Sequence, residues 1–249
     1  MLIVPASIGL FGDGFPSTTT TASVIKSALL FDGSSDRLQL KFDEAGNTAE
    51  WTASLWIKRG DISTGVVFEA RADGNNTGAF YFQNSDIYWQ DYDDGVATPA
   101  WRLYTDAMFR DPTAWMHVVL VNDTGNGTAG NRQRIYINGT RVTSFSTETN
   151  SGQGYESAQG INSANPHYIG FSGSGDYFGG YLAEFIFLDG VATTDAGSFG
   201  ANDDNGVWVP KDPASTDNIA DWGGKNSFWL KFDDGDNIGK NSRPTTVSA

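Results

Sequence analysis

From Lys26 to Ala192 the chain never sustains a helical apolar period for more than two turns, and this constraint decides its fold class. In place of helical stripes come short runs of β-branched and aromatic residues, parted by clusters of Gly, Asn, Asp and Ser. The runs SALLFD, RLQLKF, WTASLWIKR, GVVFEAR, AFYFQ, DIYWQDY, AWRLYT, WMHVVLVND, RQRIYING, TRVTSF, HYIGFS and GYLAEFIFLDG read as strands. A single open sheet of that many strands would leave too much apolar surface in water. The expected fold is therefore all-β, a two-sheet antiparallel jelly-roll sandwich.

One hairpin can be read at residue level. In RQRIYINGTRV, Arg132 to Val142, the pair Asn138-Gly139 suits a two-residue type I′ turn, which needs φ > 0 at both central positions. That turn sets Ile137 opposite Thr140 and Ile135 opposite Val142. One face of the ribbon is then largely apolar, while Arg134, Tyr136 and Arg141 share the other.

Three regions are expected. Residues 1–25 form an apolar N-terminal arm (Leu2, Ile3, Val4, Ile8, Leu10, Phe11) and a Thr/Ser-rich linker, and residues 26–192 form the sandwich. Residues 193–249 form a loop-rich C-terminal extension with a last strand, SFWLKF, held over the sandwich by Trp208 and Trp222. The N-terminus is too short to span a bilayer and carries no Lys or Arg before Lys26, so no signal peptide or membrane insertion is expected.

Composition excludes other classes. With no cysteine there are no disulfides and no thiolate metal sites, and stability must come from packing, to which 13% aromatic residues contribute large buried areas. A net charge of −14 repels nucleic acid and anionic membrane surfaces.

The order of the runs resembles the laminin-G-like, pentraxin-type branch of the concanavalin A-like lectin and glucanase superfamily. The carriers are Phe31-Asp32-Gly33, Trp56-Ile57, Trp115 to Val118, Tyr136 to Gly139, Ile169-Gly170 and Gly180 to Glu184. In the tail, SFGANDDNGVWVPKDP and SFWLKFDDGDNIGKNS are similar to segments that follow such sandwiches in virion proteins of tailed bacteriophages. This implies a virion component made in the host cytoplasm and held to other virion proteins by its arm, with homo-oligomerisation as in many phage appendages. It would act as a host-glycan adhesin or as a decoration module. The alternative is a free lectin or a polysaccharide hydrolase on the same fold.

The residues favour a non-enzyme. Glucanases on this fold carry carboxylates at alternate strand positions, about 5 to 5.5 Å apart for the retaining reaction, and no such strand is present. The nearest, AEFIFLDG, sends Glu184 and Asp189 to opposite faces. His117 and His167 are expected to be structural. The resemblance implies calcium at the loop rim, with Asp32, Asp36, Asp123 and Asp176 as candidate ligands, although Asp beside Gly also suits a turn. For glycan binding the richest stretch is DIYWQDYDDGVATPAWRLY, with Tyr88, Trp89, Tyr92, Trp101 and Tyr104 as candidates; which parity of residues 86–92 faces out stays open.

Overall fold

The computed structural model describes residues 25–215 and 218–244. The expected arm residues Leu2, Ile3, Val4, Ile8, Leu10 and Phe11 lie outside them. The chain opens with β1 (Leu29–Asp32), β2 (Leu38–Lys41), β3 (Glu50–Arg59), β4 (Gly65–Asp73), β5 (Asn76–Gln83) and β6 (Asp86–Tyr92). It continues through β7 (Trp101–Thr105), β8 (Met116–Asp123), β9 (Gln133–Ile137), β10 (Thr140–Arg141), β11 (Phe145–Thr149) and β12 (Pro166–Ile169). The last four are β13 (Gly179–Asp189), β14 (Gly200–Asn202), β15 (Trp208–Pro210) and β16 (Phe228–Leu230). Among the described residues there is no α-helix, and no helix long and apolar enough to cross a membrane.

Two seven-stranded antiparallel sheets form a sandwich. The first runs β1-β13-β3-β8-β9-β10, with β16 also paired to β13, and the second runs β11-β7-β6-β5-β4-β12-β2. Their inner faces share one core that includes Trp51, Leu55, Leu120, Ile135, Phe185 and Phe187 from the first sheet and Phe68, Phe80, Phe82, Trp89 and Leu103 from the second. The fold class read from the sequence is the one observed.

Side-chain patterning explains why the two sheets differ outside. In β8, Val118 and Leu120 face the sandwich core while Val119 and Val121 face away, so both parities are apolar. A strand of that kind needs cover on both faces. The C-terminal extension supplies it: Phe199, Trp208, Ile219 and Trp222 pack with Val119, Val121, Ile186 and Leu188 in a second core on the outside of the first sheet. Strands β6 and β7 instead alternate buried and half-buried residues along their length. Among the described residues no second core forms over their outer face.

The hairpin has the register expected, with Thr140 opposite Ile137, Val142 donating to the Ile135 carbonyl at 2.8 Å, and φ of +47° and +78° at Asn138 and Gly139. On its second face Arg141 is exposed, but the other two residues are not left to water. Arg134 donates to Asp123 and to the Thr193 carbonyl, and the Tyr136 hydroxyl donates to the Thr194 carbonyl, so both are buried beneath the extension.

Two elements depart from the expectation. Phe145–Thr149 pairs with β7 as an edge strand although its FSTET sequence is mostly polar, because an edge exposed on its outer side gains nothing from apolar residues there. The extension also contains the β14–β15 hairpin, whose strands are three residues each and too short to show a period.

Because β16 is a strand of the first sheet, extension and sandwich should unfold in one cooperative transition. Phe187 is fully buried and packs against Trp51, Phe42, Phe68 and Phe228, so Phe187→Ala should cost about 3 to 5 kcal/mol. Urea denaturation followed by fluorescence and by far-UV dichroism should give coincident midpoints in the wild type and in Trp222→Ala. Separate transitions would show the extension to be an independent unit.

Candidate functional site

Alternation along β6 settles the parity left open by its sequence. Ile87 and Trp89 enter the core, so Tyr88, Gln90 and Tyr92 face outward. On the neighbouring strands Tyr81 lies beside Tyr88, and Tyr104 lies on its other side, which makes one row across β5, β6 and β7. The Tyr88 and Tyr104 rings stack with centroids 3.8 Å apart, and Tyr81 sits 5.3 Å from Tyr88. Rings stacked across strands stand upright on the sheet, so the row presents edges and hydroxyls outward. The Tyr104 hydroxyl donates to Gln90 Oε1 at 2.6 Å, and the Arg102 guanidinium lies 5.6 Å from the Tyr104 ring centre. Burial pushes the Tyr104 hydroxyl above its ordinary pKa, so it stays a proton donor at neutral pH.

Trp89 and Trp101 require a correction. They are 0% and 4% exposed and meet edge to face at 4.8 Å inside the sandwich, so neither presents a ring to a ligand. Tyr88, Tyr92 and Tyr104 share the open face; the two tryptophans share the core.

The four candidate calcium ligands do not come together. Asp32 and Asp176 lie by the β1 end next to Gly179, whereas Asp123 pairs with Glu50 at the far end of β3. Asp32 caps its own turn, accepting from the backbone N–H groups of Ser34, Ser35 and Asp36 and from both serine hydroxyls. Those bonds hold its carboxyl well below the usual range, the Ser35 hydroxyl most strongly. Asp36 accepts from Asp32 N–H, and Asp123 is bound to Arg134 and Asn126. As a set they do not fit one calcium ion, and among the described residues no three His, Cys, Asp or Glu side chains form a metal-sized group.

A Ser–His contact has the wrong polarity for nucleophilic catalysis. Trp208 Nε1–H donates to His117 Nδ1 at 3.0 Å, which leaves the ring proton on Nε2, 2.8 Å from Ser54 Oγ. His117 therefore donates to Ser54 and cannot take its proton. Burial lowers its pKa to about 3, so it stays neutral. His167 is equally occupied, with Nδ1–H on the Asn165 carbonyl and Nε2 accepting from Asn162 N–H. Both histidines are structural here.

The carboxylates behave similarly. Glu184 occupies a β-bulge with φ +46° and accepts from Trp229 Nε1–H on the outer side, while Asp189 accepts from Asn47 N–H and Asn162 Nδ2 at the inner end of β13. Asp91 and Asp93, at alternate positions, form a pair outside the expected candidates: both accept from the Tyr155 hydroxyl. Both are buried, and the cavity that Asp91 lines, of about 10 Å³, has no room for a sugar.

Burial pushes the Asp91 carboxyl up to about 7; the Tyr155 and Ser157 hydroxyls pull the other way, and the charge of Asp93 adds to the rise. Between its ordinary value of 3.8 and about 7 the folded protein holds a proton that the unfolded chain has released. Wild-type stability should thus fall as pH rises through that window, by at most about 1.4 kcal/mol per unit. Asp91→Asn removes this slope, so in urea denaturation the variant should gain on the wild type from about pH 4 to about pH 7 and by a constant amount above. A difference independent of pH would show that Asp91 is ionised in the fold.

Residues 32–196 match the Laminin_G_3 family of the concanavalin A-like lectin/glucanases superfamily. No curated protein matches. Among solved structures, the heptameric SAP-like pentraxin of Limulus polyphemus is 18% identical, with TM-score 0.49 over 67% of this chain and 77% of that one. Domain 4 of AbnA, an extracellular arabinanase of Geobacillus stearothermophilus seen with arabinotriose, is 14% identical, with TM-score 0.43 over 68% and 85%. The Botulinum neurotoxin serotype D binding domain is 13% identical, with TM-score 0.47; the match covers 73% of this chain but only 42% of that one. The ordered motifs, the paired seven-stranded sheets and the match across about two thirds of its length establish that the chain belongs to the concanavalin A-like lectin/glucanases superfamily.

Proposed function

We propose that this protein is a non-enzymatic carbohydrate-recognition module that binds glycan on the open face of its second sheet. The observation that carries this is the outward row of Tyr81, Tyr88 and Tyr104 with Gln90 and Arg102 beside it, on a face that the extension leaves bare. Upright tyrosines meet a sugar with hydroxyls and ring edges, and Gln90 and Arg102 add an acceptor and donors suited to vicinal hydroxyls. The strands beneath are rigid, so little ordering cost accompanies binding. Membership of a lectin-bearing superfamily supports the reading.

The absence of chemistry in this proposal rests on geometry. His117 donates to Ser54, Glu184 and Asp189 diverge, and Asp91 and Asp93 are closed off from any sugar-sized space. We further propose that the module is carried on a tailed-bacteriophage particle as adhesin or decoration, a role supported by the resemblance of residues 198–213 and 227–242 to segments of phage virion proteins.

On a glycan array the protein should retain at least one saccharide, and Tyr88→Ala should weaken that binding roughly tenfold, about 1.4 kcal/mol, while leaving the urea midpoint nearly unchanged. Trp89→Phe, a change inside the core, should leave affinity as it is. Binding untouched by Tyr88→Ala and Gln90→Ala would remove the tyrosine row as the site, and release of reducing ends from the bound saccharide would overturn the non-enzymatic assignment. For the particle role, the protein should be found by mass spectrometry in purified virions.

A further inference from the structure

The outside of the first sheet is not wholly covered. Where β8 begins and the β9–β10 hairpin turns, residues of the sheet and of the β14–β15 hairpin of the extension line a concavity of about 520 Å³. Trp115 and Trp208 line it, with Asn138, Thr140 and Asn202 between them. From this arrangement we propose a second saccharide-binding site, selective for neutral sugars, on the face opposite the tyrosine row.

Rigidity is the first argument. The Trp208 indole is tethered by its N–H to His117 Nδ1 at 3.0 Å and lies nearly parallel to that ring, at 22°. Gly139 and Gly200 both close on it so tightly that a Cβ at either would collide with the indole. Gly139 also carries the positive φ of the turn, so no other residue serves as well there. Trp115 is half-buried, with its ring beside Tyr181, whose other neighbour is the Lys58 ammonium. The tryptophans are thus held in place before any ligand arrives.

Chemistry is the second. Asn138 spends its Oδ1 on the His117 N–H at 2.8 Å, and no hydrogen bond within the described residues occupies its amide NH₂, the Thr140 hydroxyl or the Asn202 amide. Aromatic walls with amide and hydroxyl groups between them suit a ligand that alternates C–H patches with hydroxyls, which is a sugar ring. Among the described residues no charged side chain lines the concavity, in a chain of net charge −14. A phosphate, a carboxylate or a cation would find no counter-charge there, whereas a neutral saccharide needs none.

The site does not depend on the tyrosine row, because the two lie on the outer faces of different sheets. If both bind, the module is bivalent, with the rigid sandwich as spacer.

The test is a titration of the full chain with maltohexaose, cellohexaose and mannohexaose, followed through the indole N–H signals in heteronuclear NMR. At least one hexasaccharide should shift the Trp115 and Trp208 signals. Trp115→Ala should weaken that binding roughly tenfold, and Asn202→Ala should weaken it as well without touching the second core. Tyr88→Ala should leave it unchanged. Signals of Trp115 and Trp208 that no hexasaccharide moves, or shifts that survive Trp115→Ala, would overturn the proposal. Loss of those shifts on Tyr88→Ala would assign the binding to the tyrosine row instead.

Discussion

Strand β13 is the member on which the other layers depend. It pairs with β1, β3 and β16, sends Leu182, Phe185 and Phe187 into the sandwich, and gives Ile186 and Leu188 to the outer core. Leu182 and Phe185 are three apart yet face the same way, which a plain strand forbids. The bulge at Glu184, with its left-handed φ and its bond to Trp229 Nε1, absorbs the extra residue. Without that shift Phe185 and Phe187 would turn outward and the core would lose its centre. At the last residue of the strand, the Asp189 carboxylate gathers Asn47, Asn162 and Asn226, joining three loops to the strand through paired buried polar groups.

From that asymmetry follows which face can recognise anything. In the first sheet β8 and β13 are apolar on both sides and are sealed by the extension, whereas in the second β6 and β7 alternate and keep their outward residues only half-buried. A recognition surface therefore has two places to form: the bare sheet, or the margin where the covering hairpin ends. The tyrosine row occupies one and the Trp115–Trp208 concavity the other. Polar and aromatic groups on the covered part of the first sheet are spent on cohesion, as Arg134 and Tyr136 illustrate.

Much of this was legible beforehand because it is local or periodic. The Asn138-Gly139 turn declared its register, and the short β-type runs with no sustained helical period declared the all-β sandwich, whereas which sheet the extension would cover was not read from the sequence. Sequence could not say which parity of β6 faces out, since Ile87, Trp89 and Asp91 and their neighbours Tyr88, Gln90 and Tyr92 are both plausible inner sets. The choice is made by partners distant in the chain: Trp51 meets Trp89 edge to face, and Ile161 and Tyr155 close over Asp91. The FSTET edge strand was invisible for the opposite reason, having no apolar periodicity to show. The Trp115–Trp208 concavity joins residues 93 positions apart through the fold alone, and in the sequence Trp208 reads only as an anchor of the extension.

Charge narrows what such surfaces can meet. A chain of −14 repels polyanions at distances up to about a Debye length, roughly 8 Å at physiological salt. Approach therefore favours uncharged or cationic partners, and contact then separates those two. At the tyrosine row Arg102 opposes a cation, and in the concavity nothing compensates one. A neutral, hydroxyl-rich polymer is the partner to which neither the long-range field nor the short-range contacts object. If both proposed sites bind, its repeating units make their separation on opposite faces useful, since a polymer held on each side of a rigid sandwich dissociates far more slowly than one held at either site alone.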